Sequence, residues 1–173
     1  MANNPDTMVA EFLHYNRWAN LQLLDACHNL TPEQLASSAP GTYGSIYDTF
    51  VHIVQSEARY YKRLSGVELP PPFSWEAFPP LSEIRPYAER VSTALVEAAE
   101  QMHSTDSFQR DWDDPEWYGQ RTRYKAVSML IQAVDHGVEH RTNITTILAQ
   151  LGIPTPNLDG WEYMRLNPDR LGA

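Results

Sequence analysis

Histidine is the side chain that both ligates divalent metals and exchanges protons near neutral pH. His136 and His140 stand four residues apart in the stretch AVDHGVEHR. At about 100° per residue, two helical positions with that spacing lie about 40° apart, so both rings can reach one ion. The spacing permits a metal clamp without establishing one, because hydrogen bonds to neighbouring carbonyls would satisfy the same rings. The zinc-protease pattern, with its glutamate directly after the first histidine, is absent. A third donor has to come from another element, and His52 is the candidate. Three neutral imidazoles would leave a divalent ion its charge and at least one exchangeable position, an arrangement suited to catalysis rather than to structure.

Positioning those rings is the work of helices. Four long segments carry helical rather than alternating periodicity, and most of the prolines fall in the breaks between them. The pattern predicts an all-α fold, a four-helix bundle forming one domain over residues 1–173. The first helix is expected over residues 7–29, followed by a short turn at TPEQL, where Thr31 and Gln34 can form a capping box around Pro32. The second is expected over residues 45–64, with Ser45 as N-cap, Asp48 bonding back to it, and Gly66 as terminator. The proline-rich ELPPPFSWEAFPP reads as an ordered crossing loop that lays Phe73, Trp75 and Phe78 on the body. A third helix follows over residues 82–103, with Ile84, Ala88, Val91, Leu95 and Ala98 on its apolar face. Residues 108–124 break the pattern with aspartates, Pro115 and Gly119, and read as an irregular loop or short hairpin. Helix resumes near Lys125 and stops before Gly152, and the tail is expected to dock through Trp161 and Tyr163.

The helical wheels bear on the site. On the fourth helix Val127, Ile131, Val134 and Val138 form one apolar stripe, and Met129, Ala133, Ile144, Ile147 and Leu151 form another roughly opposite. His136 and His140 fall beside the second stripe, with Gln132 and Asn143 on their flank. Two stripes require cover on two sides, which predicts a two-fold homodimer with the first or fourth helix in the contact. On the second helix, Ile46, Phe50, Ile53, Tyr61 and Leu64 make the core face. His52 lies opposite, with Ser45, Asp48, Ser56 and Arg59. Periodicity alone therefore places His52 on the surface, and a metal site requires that polar stripe to border a cleft against the fourth helix.

Composition narrows the function classes. A net charge of -9 and a pI near 5.0 disfavour nucleic acid, which is held by clustered Lys and Arg. The single cysteine, Cys27, forms no internal disulfide, and neither a signal peptide nor a membrane-spanning run is legible, so a soluble cytoplasmic protein with no membrane partner is expected. Cys27 reads as a small packed hydrophobe, His14 as a polar member of the core, and His28 and His103 as cations suited to helix ends. Asp113, Asp114 and Glu116 read as a solvated turn.

The chain resembles the DinB/YfiT-like family of bacterial four-helix proteins, unrelated to the DNA polymerase that shares the name. The likeness lies in YNRWAN on the first helix, GSIYDTFVHIVQSEARYYKRL on the second and DHGVEHRTNITTILAQLGIP on the fourth. Family members carry one histidine midway along the second helix and a His-x-x-x-His pair on the fourth, and these bind a divalent ion. The resemblance therefore implies His52, His136 and His140 as metal ligands. Zinc or nickel is the expected metal, with iron, manganese and copper also compatible with imidazole. One departure is visible: many relatives read HRGQ after the last ligand, where this chain has HRTN, with Thr142 and Asn143. The resemblance further implies a small-molecule substrate and a metal-dependent transferase using a low-molecular-weight bacterial thiol. The alternatives are a metal-dependent hydrolase and a non-catalytic stress protein that binds metal or a small ligand.

Overall fold

The structure, a computed structural model, describes residues 8–117 and 120–171. Its long helices are α1 (Met8–Ala26), α3 (Ile46–Ser65), α4 (Leu81–Ser104) and α5 (Val127–Gln150). Short helices α2 (Pro32–Leu35), α6 (Gly160–Leu166) and α7 (Pro168–Leu171) lie between and after them. Thr7, where the first helix was expected to begin, lies outside the described residues. That helix ends at Ala26, three residues short of the expected Asn29, and the chain leaves it through successive turns at Cys27, His28 and Leu30.

The helix boundaries follow local chemistry. Thr31 and Gln34 close the capping box on α2. Ser45 caps α3 by accepting from the Asp48 N–H at 3.0 Å, and Asp48 bonds back to it through its carboxylate, which accepts from the Ser45 hydroxyl at 2.7 Å. Gly66 ends α3 in the left-handed conformation at φ 75°, which a side chain would strain. In the crossing loop Phe73 and Trp75 pack edge-on against Tyr87, whereas Phe78 stays exposed, so two of the three expected anchors dock. The segment before α5 is an antiparallel hairpin, β1 (Asp111–Trp117) with β2 (Gln120–Lys125), with an irregularity between Asp114 and Trp117. Within it Asp113 pairs with Arg123, an ordinary cross-strand ion pair; the side chains of Asp114 and Glu116, and Gly119 itself, lie outside the described residues.

Around the bundle, α1 packs against α4 and α5, and α3 packs against the same two, so α1 and α3 lie across a diagonal. The apolar interior is divided. One cluster gathers Leu21, Phe50, Ile84 and Ile144 with their neighbours, and a second gathers Leu13, Tyr60, Leu95 and Leu130. Between the clusters runs a buried polar layer: Asn16 and Asn20 from α1, Glu57 from α3, Ser92 from α4, and His136, His140 and Arg141 from α5. Burial of such groups is costly unless each finds a partner.

Four hydrogen bonds meet part of that demand, while Arg141 Nη2 and the Nδ1 atoms of His136 and His140 stay buried without a hydrogen-bond partner. Arg141 Nη1 donates to the side-chain oxygens of Asn16 and Asn20, each at 2.6 Å. The two asparagine amides then donate to one Glu57 carboxylate oxygen at 2.7 and 2.8 Å. Two asparagines of α1 thus link the buried guanidinium of Arg141 on α5 to the buried carboxyl of Glu57 on α3. The Arg141–Asn16 bond requires glycine at position 137, because a Cβ there would stand 2.2 Å from Asn16 Oδ1 and 2.6 Å from Arg141 Nη1.

Outside the bundle, Tyr163 of α6 is buried against Tyr15 and Trp18 of α1, while Trp161, expected to dock with it, is 78% exposed. On α5 the stripe through Met129, Ala133, Ile144 and Ile147 is buried, whereas Leu151, expected on that stripe, is exposed past the helix end, and Ile131 and Val138 of the other stripe are exposed.

Candidate metal centre

His52 is carried by α3 and His136 and His140 by α5, two helices in direct contact. The reason His52 escapes the surface is visible in the residue one turn later. Ser56, on the same polar stripe, is 3% exposed, so the stretch of the stripe through His52 and Ser56 borders α5, while Asp48 and Arg59 of the same stripe are exposed. The core face of α3 is correspondingly shifted: Tyr60 is buried and Tyr61 only partly so. His52 is half-buried, and His136 and His140 are 8% and 5% exposed.

The three rings converge. His52 Nε2 and His136 Nε2 are 2.9 Å apart, and one nitrogen from each of the three histidines falls within 4.8 Å of the others. A tetrahedral ion with bonds of about 2.0–2.1 Å holds its donors about 3.3 Å apart, so small ring rotations bring this set to a common distance. Among the described residues, this is the group of histidine, cysteine or carboxylate donors close enough to hold a metal ion. The donor set fits such an ion: three imidazoles that each offer one ring nitrogen to a common point, in buried surroundings that favour their neutral form. Burial pushes His136 down to about 3 and His52 down to about 4, helped by the charge of neighbouring imidazoles and of Arg59. His140 is lowered by burial too, against the opposing charge of Glu139.

These shifts make the metal-free protein acid-sensitive. For each histidine the folded chain binds fewer protons than the unfolded chain from pH 6.5 down to its lowered pKa. Stability therefore rises with pH across that window and is lost as pH falls through it. Glu57 acts oppositely: burial raises its pKa to about 7, ahead of the lowering effects of its Asn16 bond and the Arg141 charge, so it opposes the histidines between pH 4.5 and 7. Three histidines outnumber one carboxyl. Urea midpoints of the metal-free protein are expected to fall steadily from pH 6.5 to pH 4.5, and a flat profile would contradict the depressed histidines.

Tyr43 was not legible as a site residue, whereas Asn143 already stood on the flank of His136 and His140 in the sequence. Tyr43, from the loop before α3, stacks on His52 with ring centres 4.2 Å apart and meets His140 edge-on at 4.9 Å. Its hydroxyl lies 3.1 Å from His52 Nδ1. Asn143 Oδ1 accepts from the Tyr43 backbone N–H, so the departure from HRGQ fastens this loop to α5. An aromatic at a turn carries no sequence signal for such a role. The remaining candidates stand apart from the centre. Cys27 is fully buried with its thiol pushed up to about 12, as befits a packed hydrophobe. His14 is only partly buried and faces Glu100 at 3.3 Å instead of joining the core.

Against this geometry the comparison with protein families is decisive. The DinB family model matches residues 1–171. The chain belongs to the DinB family. Within a DinB chain the placement of His52 on one helix and of His136 and His140 on another is the pairing on which the resemblance was drawn. No match was found among curated proteins. Among the described residues of this DinB protein, no helix is long and apolar enough to cross a membrane.

Proposed function

We propose that this DinB protein is a metal-dependent enzyme that joins a low-molecular-weight thiol to an electrophile. The observation that carries the reading is the donor set itself: three neutral imidazoles, with no carboxylate or thiolate among them. A divalent ion held by His52, His136 and His140, zinc or nickel first among candidates, supplies Lewis acidity that favours the thiolate of a bound thiol. The chain contributes the rest. Arg59 stands seven residues beyond His52, about 10 Å along the same face of α3, and its positive charge already reaches His52 and His136. It favours an anionic sulfur over a neutral one. Tyr43 walls one side of the rings against water. In the transfer, the thiol gives its proton to solvent, sulfur bonds to the electrophilic carbon, and the leaving group departs with the electron pair of the bond that breaks.

The test is a thiol conjugation assay with a chromogenic alkylating electrophile and metal-loaded protein. The expected result is an acceleration that vanishes in His136→Ala; no acceleration with any small thiol would overturn the reading. Thiol-independent ester cleavage would instead assign the site to hydrolysis, and metal binding without turnover would assign it to storage or sensing.

The same reading includes a two-fold homodimer. Ile131 is 63% exposed on α5, and Phe12 is exposed beside it on α1. With Val9, Val134 and Val138 they line an apolar groove of about 310 Å³. The tail covers Tyr15 and Trp18 instead, so a second copy is the cover that suits this groove. Light scattering is expected to give twice the 19.8 kDa chain mass for the wild type and the single mass for Ile131→Glu. A wild-type mass of one chain would refute the dimer.

A further inference from the structure

We infer that Tyr43 is the positioning residue of the metal centre, holding His52 in the tautomer that turns its Nε2 lone pair toward the other two histidines. The inference rests on the metal-binding reading above.

Each nitrogen of the His52 ring has a defined neighbour. Nε2 faces His136 Nε2 at 2.9 Å, and Nδ1 faces the Tyr43 hydroxyl at 3.1 Å. A metal-ligating imidazole generally donates its remote N–H to an acceptor, which fixes both the proton and the ring orientation. In the inferred tautomer Tyr43 Oη is that acceptor for His52, and Tyr43 is 55% exposed, which leaves its own proton free to bond to solvent. The arrangement is lopsided. The Nδ1 atoms of His136 and His140 are buried with no hydrogen-bond partner, so among the described residues the bond to Tyr43 is the one that orients a ring of the triad from outside it. His52 is also the ring most in need of it, being the least buried of the three. Stacking restrains the tilt of its ring, and the hydroxyl gives Nδ1 a partner outside the triad.

The loop is itself held in register. Asn143 Oδ1 accepts from the Tyr43 N–H, and Asn143 Nδ2 donates to the Glu139 carbonyl at 2.8 Å. Because Asn143 lies on the helix that carries His136 and His140, Tyr43 ties the ligand of α3 to the ligands of α5.

Two measurements on the full chain separate this inference from the metal reading. The first titrates metal-stripped wild type, Tyr43→Phe and His136→Ala with Co²⁺, following the visible absorption. Tyr43→Phe keeps the stacked ring and loses the hydroxyl; it is expected to weaken Co²⁺ binding by about 10–100-fold and shift the visible bands, with helix content and thermal midpoint retained. The second is the ¹⁵N spectrum of the metal-free histidines. His52 is expected as the Nδ1–H tautomer in wild type and as a mixture in Tyr43→Phe. If wild type binds Co²⁺ and Tyr43→Phe matches it within threefold, the inference is overturned. If wild type binds no Co²⁺, the metal reading fails and the tautomer decides alone: a His52 signal identical in the two proteins overturns the role of Tyr43, and its loss in the variant upholds it.

Discussion

Replacing His136 with alanine is expected to remove metal binding while leaving the fold intact. Alanine is the better helix former, so α5 is not weakened, and the imidazole it replaces belongs to the polar layer rather than to either apolar cluster. The buried ring also carries an unpartnered nitrogen, so its loss forfeits no protein hydrogen bond at Nδ1. What disappears is the donor 2.9 Å from His52 Nε2, and two remaining imidazoles hold a divalent ion far more weakly than three. His52→Ala is expected to do the same, and it is the sharper trial because helical periodicity alone places His52 on the surface. Metal content measured on variants purified alongside wild type checks both. Either variant retaining a full equivalent of metal would remove that histidine from the site.

Arg141→Ala is expected to cost the fold about 3 kcal/mol. Removing one member of a buried ion pair typically costs about 3–5 kcal/mol because its partner is left uncompensated. Here the loss also strips Asn16 and Asn20 of their donor. The figure sits at the low end because Glu57, with its pKa raised to about 7, can take up a proton when the guanidinium is gone. For a chain of this length, about 3 kcal/mol corresponds to a thermal midpoint lower by about 6–12 °C. The double variant Arg141→Met with Glu57→Leu removes both charges and is expected to recover most of the loss. A midpoint for Arg141→Ala within 2 °C of wild type would show that the relay contributes little.

Much of the bundle was legible because its signals are local. Ser45, Asp48 and Gly66 mark the ends of α3 through their own backbone chemistry, and the apolar spacing of Ile84, Ala88, Val91 and Leu95 marks the buried face of α4. The polar layer was not legible, because Asn16, Asn20, Glu57 and Arg141 acquire meaning only through one another, across 37 to 125 residues of sequence. Periodicity misplaced His52 for a related reason: a wheel divides a helix into core and solvent, and has no category for a face turned toward a neighbouring helix through polar side chains. The family resemblance supplied that category. Trp161 shows the opposite failure, since an aromatic in a tail is no guarantee of docking; Tyr163, two residues on, has the buried seat and donates its hydroxyl to Glu11.

The central claim is that His52, His136 and His140 act together on one divalent ion. Calorimetric titration of the metal-stripped wild-type protein with Zn²⁺ at pH 7, where all three imidazoles are neutral, tests it most directly. One saturable equivalent of Zn²⁺ per chain, absent from His52→Ala, is the predicted result. No saturable binding by the wild type, or one equivalent retained by His52→Ala, would contradict it.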